Sequence, residues 1–359
     1  MPSIAGFWAV IPAGGAGTRL WPLSRAGSPK FLHDLTGSGR SLLQATVDRM
    51  APLVDDRVLV VTGAAHQAAV SAQLPALDAA NIVAEPQPRD SMPAIGLAAA
   101  LVARRDPEAV IGSFAADHVI SDPAGFAACV ELAVAAARDG WLVTIGVQPT
   151  HPATGFGYIQ LGDPLPGHDG VRLAHAFVEK PSAELAARYL STGEFRWNAG
   201  MFVVRAATLL ELLAQWHPAL AAGLRDIAAD QTRLSEIWPR LERIAIDHAV
   251  AEPAAATGRV AVVPATFGWN DIGDFASLRA ILPPAAPGPT VLGDADLVHA
   301  VDADGLVLPG SGRMVAVIGL PDVVVVDTAD ALLVTSMERA QDVKRVVDAL
   351  KASGRADLT

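Results

Sequence analysis

The sequence predicts an α/β fold, a mostly parallel sheet with helices on it, followed by a small β-rich piece. Three observations predict it. The first two thirds of the 359 residues alternate short apolar runs with helix-period segments, the pattern of β-α units around a parallel sheet. Proline and glycine then crowd PPAAPGP, Pro283 to Pro289, which reads as a linker. Beyond it come short apolar steps, Val291-Leu292, Leu297, Val301, Leu306 to Leu308 and VAVIGLPDVVVVD, which suggest small stacked strands. The expected domains are therefore residues 1–282 and 290–359.

The elements follow in order. FWAVIPA, Phe7 to Ala13, reads as a buried strand that runs straight into glycines. SLLQATVDRM reads as a helix, with Ser41 and Gln44 at capping-box spacing and Leu43, Val47 and Met50 on one face. RVLVVTG, Arg57 to Gly63, is a second strand, and AVIGSFAAD, Ala109 to Asp117, another. Asp122-Pro123 starts a helix that Gly140 ends, before the strand WLVTIGV. Cys129 falls inside that helix as a small buried residue. The chain closes on a helix with Val343, Val346, Val347 and Leu350 on one face.

Composition narrows the function. Hydrophobic residues make up 51% and charged ones 18%, enough for a large core. A net charge of −11 argues against holding a nucleic acid polymer by bulk charge, so a phosphate ligand must be held locally. The single cysteine excludes a disulfide framework and a multi-thiolate metal site, and fits a reducing cytoplasm. The N-terminus MPSIAGFWAVIPAGG lacks a basic region before a long apolar core, and no apolar stretch approaches the ~18 residues of a spanning helix. Neither export nor a membrane is expected.

The first strand leads into GGAGTRLWPLSRAGSPK, Gly14 to Lys30. Glycines there let backbone N–H groups approach phosphate oxygens, and Arg19 and Lys30 add two cations to the same loop. It is neither of two familiar phosphate motifs. A P-loop needs GK[ST] after its glycines, and a dinucleotide fingerprint needs a small residue where Leu20 stands. EPQPRDSMPAIGLAAA carries two acids, Glu85 and Asp90, and Asp90 is placed to cap the apolar helix that follows. Asp117-His118 ends an apolar strand, and Asp271 in GWNDIGDF follows the strand VAVVPA. Two such carboxylates beside nucleotide phosphates suit Mg²⁺, which takes one or two carboxylates plus substrate oxygens and waters. TGFGYIQ, FVEKP and WNAGMF read singly as a hairpin turn, a surface ion pair and a β-turn.

Together these motifs, in this order, resemble the sugar-phosphate nucleotidyltransferases. The Leu20-Trp21-Pro22-Leu23-Ser24 form of the loop is similar to that of the mannose-1-phosphate guanylyltransferases, whose loop continues PKQFL where this chain reads Pro29-Lys30-Phe31-Leu32. EPQPRDSMPAI resembles EPxxRNTAPAI, which lines the base pocket, where either Glu85 or Asp90 could accept both N1–H and N2–H of guanine; AIDHAVAE, Ala245 to Glu252, resembles SIDYAVME, taken as scaffold near the sugar pocket. The resemblance implies a Rossmann-like, GT-A-like sheet with a short left-handed β-helix-like tail and no further domain.

It implies that Ala13, Gly14, Gly15, Gly17, Thr18 and Arg19, with Glu85, Arg89, Asp90 and Asp117, bind the nucleotide. Gly157, Glu179, Lys180 and Asn198 would take the sugar phosphate, and Asp117 and Asp271 would hold the catalytic Mg²⁺. The expected reaction joins GTP and α-D-mannose 1-phosphate to give GDP-mannose and pyrophosphate, with Arg19, Lys30, Asp117, Lys180 and Asp271 catalytic, in a cytoplasmic homodimer. The alternatives are another hexose 1-phosphate, against which the Trp21 loop and WNAGMF argue, and a non-catalytic sugar-nucleotide sensor, which would be expected to have lost one of the charged residues. An NAD-dependent oxidoreductase fails on the missing third glycine.

Overall fold

The computed structural model describes residues 3–15, 17–285 and 287–359. The chain packs into two compact units. One comprises Met1–Ala13, Val47–Ala115 and Ile120–Trp269, the other Gly14–Thr46, Ala116–Val119 and Asn270–Thr359. Packing thus groups the glycine-rich loop with residues beyond Pro283 to Pro289, which a cut along the chain separates.

The first unit is built on one mixed sheet. Its early strands are β1 (Phe7–Ala13), β2 (Val58–Gly63), β3 (Ile82–Glu85) and β4 (Val110–Ser113), and a two-residue strand, β5 (Val119–Ile120), comes next along the chain. Then follow β6 (Leu142–Val147), β7 (Gly157–Pro164), β8 (Arg172–Val178), β9 (Phe195–Arg205) and β10 (Val260–Ala265). The nine-stranded order is β3-β2-β1-β4-β9-β6-β10-β8-β7, with β7 also bonded to β9. The parallel character lies in β3-β2-β1-β4 and in β6 with β10. Between them β9 runs antiparallel to both β4 and β6. The apolar runs of β1, β2 and β4 are almost wholly buried, as strands covered on both faces must be.

The expected elements appear, with shifts at their ends. The AVIGSFAAD strand stops at Ser113, because Val10 and Ser113 close the β1 ladder and the Phe114 N–H makes one last bond to Val10. Asp117 therefore sits in a turn and not at a strand end. WNAGMF lies within β9, where a turn was its simplest reading. Helix Ser91–Arg105 is buried at every position from Met92 to Val102 and packs on the helices Ala206–Trp216 and Pro218–Ala229. Asp122 caps the helix Pro123–Arg138 through the N–H groups of Ala124 and Gly125. Cys129, expected buried, is half-exposed there.

The second unit holds a core of Leu20, Trp21, Leu35, Leu42, Ile272, Phe275, Leu306, Leu308, Val324 and Val326, among others. Ser41 and Gln44 form the expected reciprocal capping box, through bonds of 3.1 and 3.2 Å. Strands Thr290–Val291, Gly305–Pro309, Val323–Asp327 and Leu332–Ser336 form one sheet in that order, parallel until the last. Val298–Val301 pairs with Val315–Ile318 in another. In the last helix, Val343–Ala352, Val343 and Val347 are buried, and Val346, at the edge of the same face, is 40% exposed.

Candidate active site

The glycine-rich loop, the Asp117 turn and the Asp271 turn all belong to the second unit. Past β1 the loop needs backbone conformations open to glycine: φ is +84° at Gly15 and +59° at Gly17. A side chain on Gly17 would also press on the stem of Lys30, with Lys30 Cγ 3.0 Å from its Cβ. Thr18–Leu20 then forms a 3₁₀ turn, with Leu20 buried and Arg19 exposed. The Ser24 hydroxyl donates to the Gly17 carbonyl, which ties the turn back on itself.

Lys30 is the centre of this group. Its ammonium lies 2.9 Å from Asp117 Oδ2 and donates to the Asp271 carbonyl at 2.6 Å and the Ile272 carbonyl at 3.3 Å. Its side chain is 12% exposed and that of Asp117 19%, so the pair is poorly screened. Burial pushes the Asp117 carboxyl up, but the charge of Lys30, with His118, more than offsets it and holds Asp117 below the usual carboxylate range. Asp271 goes the other way. Burial raises it, Lys30 opposes, and the nearby Asp117 carboxylate pushes it further up. One cation thus serves two carboxylates. Among the described residues no group of three or more His, Cys, Asp and Glu side chains forms a metal cage.

The Asp271 turn is braced by its neighbours. Asn270 Oδ1 accepts the Ile272 N–H at 2.7 Å, where φ is +44°, and Asp274 and Ser277 make a capping box for the helix Phe275–Ile281. The Gln341 amide donates to Asp274.

The remaining expected residues belong to the first unit. Ala13 ends β1, its carbonyl accepting the Thr62 hydroxyl at 2.8 Å. Glu85 ends β3 and is 9% exposed, and burial pushes its carboxyl up to about 7. Its Oε2 has no hydrogen-bond partner among the described residues. Asp90 is exposed, and its carboxylate accepts the Ser91 N–H at 2.9 Å, the capping role. Arg89 donates to the Pro239 carbonyl, and its own carbonyl accepts the Ile244 N–H at 3.3 Å.

Gly157 opens β7 opposite Asn198 of β9. A side chain at Gly157 would strike Glu179 Oε2 and lie 3.3 Å from Asn198 Cβ. Lys180, at φ +45°, is exposed and pairs with Glu179 at 2.6 Å. The amide of Asn198 donates to Asp247 Oδ1 at 2.6 Å, a residue that sequence reasoning left within a scaffold segment. Its signal was an acid set between Ile246 and the apolar run Ala249-Val250-Ala251.

A nucleotidyl transferase family model matches residues 8–285, most of the chain. The chain belongs to the nucleotidyl transferase family. A second model, of a mannose-phosphate isomerase/GMP-like β-helix domain, matches residues 297–350 of this nucleotidyl transferase. It is 40% identical over 361 residues to the xanthan biosynthesis protein XanB of Xanthomonas campestris pv. campestris strain B100, covering 98% of this chain and 74% of that protein. It is 38% identical over 365 residues to a mannose-1-phosphate guanylyltransferase of Escherichia coli K12, covering 96% and 74%. A solved structure from Thermus thermophilus, named a mannose-1-phosphate geranyltransferase, superposes with a TM-score of 0.85 at 33% identity, covering 96% of this chain and 99% of that one. No helix among the described residues is long and apolar enough to cross a membrane.

Proposed function

We propose that this nucleotidyl transferase moves GMP from GTP to α-D-mannose 1-phosphate, releasing pyrophosphate and forming GDP-mannose. The observation that carries the reading is the Lys30–Asp117–Asp271 group set against a glycine turn, in a chain whose relatives include a mannose-1-phosphate guanylyltransferase. A phosphate monoester is already a nucleophile at pH 7, so the attack on the α-phosphorus needs positioning and charge neutralisation, with no general base.

The roles divide by chemistry. Asp117 and Asp271 would hold Mg²⁺. Two hard carboxylates whose charges one lysine already shares fit a cation completed by substrate oxygens and waters. When bound, the ion would neutralise phosphate charge. Gly14, Gly15, Gly17 and Thr18 offer backbone N–H groups to the nucleotide's phosphates, and exposed Arg19 takes the departing pyrophosphate. Lys30 and Lys180 orient the attacking phosphate, and Gly157, Glu179 and Asn198 take the sugar. For guanine we choose Glu85 over Asp90, because Asp90 already caps a helix while Glu85 is buried with an oxygen to spare. Ionised Glu85 accepts N1–H and N2–H together, a pairing that adenine cannot offer.

We further propose a catalytic domain of residues 1–282 and a C-terminal domain of residues 290–359. The ends of the two matched family regions, 285 and 297, support that division. The single cysteine and the nucleotide substrate support a cytoplasmic enzyme, and we expect a homodimer. A pyrophosphate-release assay across the four nucleoside triphosphates and a panel of hexose 1-phosphates tests the reading. Turnover should peak with GTP and mannose 1-phosphate in the presence of Mg²⁺, and a better pair elsewhere in the panel overturns it.

A further inference from the structure

The side chain of Asp247 does something that packing does not account for. It opens a π-helical turn, Asp247–Ala251, a rare geometry that fits an extra residue into a helix, re-aims its side chains and recurs at functional sites. The preceding residue, Ile246, is fully buried, and its N–H goes to the Ser91 hydroxyl at 3.0 Å, which pins the start of the turn. From there the Asp247 carboxylate accepts the Asn198 side-chain N–H at 2.6 Å, across 49 residues of sequence. The oxygen of the same amide accepts the Gly200 N–H at 3.0 Å.

Those two bonds determine which way the amide points. Flipped, the Asn198 oxygen would face a carboxylate, and its NH₂ group would face a backbone donor, so both contacts would become repulsive. Bound as it is, the NH₂ group spends one hydrogen on Asp247 and keeps a second. Gly157 lies against the same group, since a side chain there would strike Glu179 and crowd Asn198.

We propose that Asp247 is a positioning residue for the sugar side of the reaction, holding the Asn198 amide so that an N–H, and not the oxygen, is presented to a hydroxyl of the hexose phosphate. The inference rests on the assignment of Gly157, Glu179 and Asn198 to the sugar phosphate. A hydroxyl that accepts from Asn198 and donates to a carboxylate is satisfied on both sides, and an epimer that moves it leaves a buried donor unpaired. Free rotation of the amide would blur that choice.

Steady-state kinetics on the full chain, with each substrate varied while the other is saturating, tests it through three variants. In Asp247→Ala the KM for mannose 1-phosphate should rise about tenfold or more, the cost of a lost charge-assisted hydrogen bond, while the KM for GTP stays within about twofold. Asp247→Asn keeps the shape and an oxygen for Asn198, and should recover most of that loss. The swapped pair N198D/D247N restores the hydrogen bond with its direction reversed. It should melt like the wild type yet keep the raised KM for mannose 1-phosphate, because an oxygen now faces the sugar.

A swapped pair that recovers both melting temperature and KM makes the contact merely structural and overturns the proposal. So does an Asp247→Ala enzyme with unchanged KM for the sugar, or one in which both KM values rise alike. A wild type that turns over no mannose 1-phosphate overturns the functional reading itself and is distinguished at once from failure in a variant alone.

Discussion

Asp117 in one unit and Asp247 in the other are both carboxylates with little water around them, yet they hold their protons in opposite senses. Asp117 sits against Lys30, whose charge outweighs the burial and keeps it ionised. Asp247 has an amide for its partner and Glu179 for its neighbouring charge, so burial raises it, and Asn198 relieves the shift only in part. A lysine paired with the Asp117 carboxylate and bonded to the Asp271 carbonyl balances charge where little water can do so. An amide between a carboxylate and a backbone N–H has its donor and acceptor sides fixed in direction. The first cluster is built for charge and the second for orientation.

The sharpest way to break this contrast is to neutralise the charge cluster. If the two carboxylates hold Mg²⁺ as proposed, Asp117→Asn and Asp271→Asn should each lower Mg²⁺-dependent pyrophosphate release by about a thousandfold, since each would weaken the hold on the cation that neutralises phosphate charge. Their effects on stability should differ: Asp117→Asn should lower the melting temperature, because it strips Lys30 of the carboxylate it pairs with. Asp271 is held above the usual carboxylate range, so its charge is a burden to the folded state at neutral pH, and Asp271→Asn should melt at or above the wild-type temperature. Full activity in both variants would sink the metal assignment.

Lys30→Met comes next. It keeps much of the stem that Gly17 packs on but removes the charge, so turnover should fall about a hundredfold. Here stability should suffer as well, by about 3 kcal/mol, because a poorly screened Asp117 loses its counter-charge. A variant that loses activity without loss of stability would show that Lys30 is not what keeps Asp117 ionised.

Glu85 lies between the two designs, a carboxylate with neither a lysine nor an amide, and it makes the contrast a question of pH. Its carboxyl is pushed up to about 7 from 4.5, so between those values the folded state binds a proton that the unfolded chain has released. Stability should therefore fall as pH rises through that window, and the penalty at pH 8 is at most about 3 kcal/mol. Glu85→Gln should thus be more stable than the wild type at pH 8, by thermal melts, and indistinguishable from it at pH 4. The same change should raise the KM for GTP about tenfold, because an amide can accept only one of the two guanine N–H groups. If the KM for GTP is unmoved while stability shifts as expected, Glu85 is a buried acid without a role in base recognition.

What could be read along the chain was whatever is local. The glycine turn, Arg19, Lys30 and the Asp271 turn are carried by contiguous residues, and their spacing was visible before any folding. The first strand was equally plain, an apolar run that is buried nearly throughout. Two things were not visible. The pairing of Asn198 with Asp247 depends on a π-turn meeting a strand 49 residues away, and no periodicity announces it. The choice between Glu85 and Asp90 depended on whether Asp90 would be taken up as the cap of the following helix and on how deeply the end of β3 would be buried, and neither is written in the order of residues. Strand ends were hidden for a related reason: β4 stops where its ladder with β1 runs out, although the apolar residues continue.

The smallest expected effect concerns the edge of the charge cluster and not its centre. Trp21 is 7% exposed within the core of its unit, and its indole N–H donates to the Leu358 carbonyl at 2.6 Å. On the same loop Arg25 holds Asp330 with two bonds of 2.6 and 2.7 Å. The glycine-rich loop is therefore fastened by Asp330 and Leu358, residues far along the chain. Trp21→Phe keeps an aromatic ring in the core and removes only the donor, and Leu358, whose carbonyl loses that donor, is a partly exposed residue. The expected cost is about 1 kcal/mol, a melting shift of a few degrees, with turnover within about twofold of the wild type. If turnover drops tenfold while the melting temperature holds, the position of Lys30 depends on this outer fastening, and the charge cluster is as sensitive to orientation as the sugar-side one.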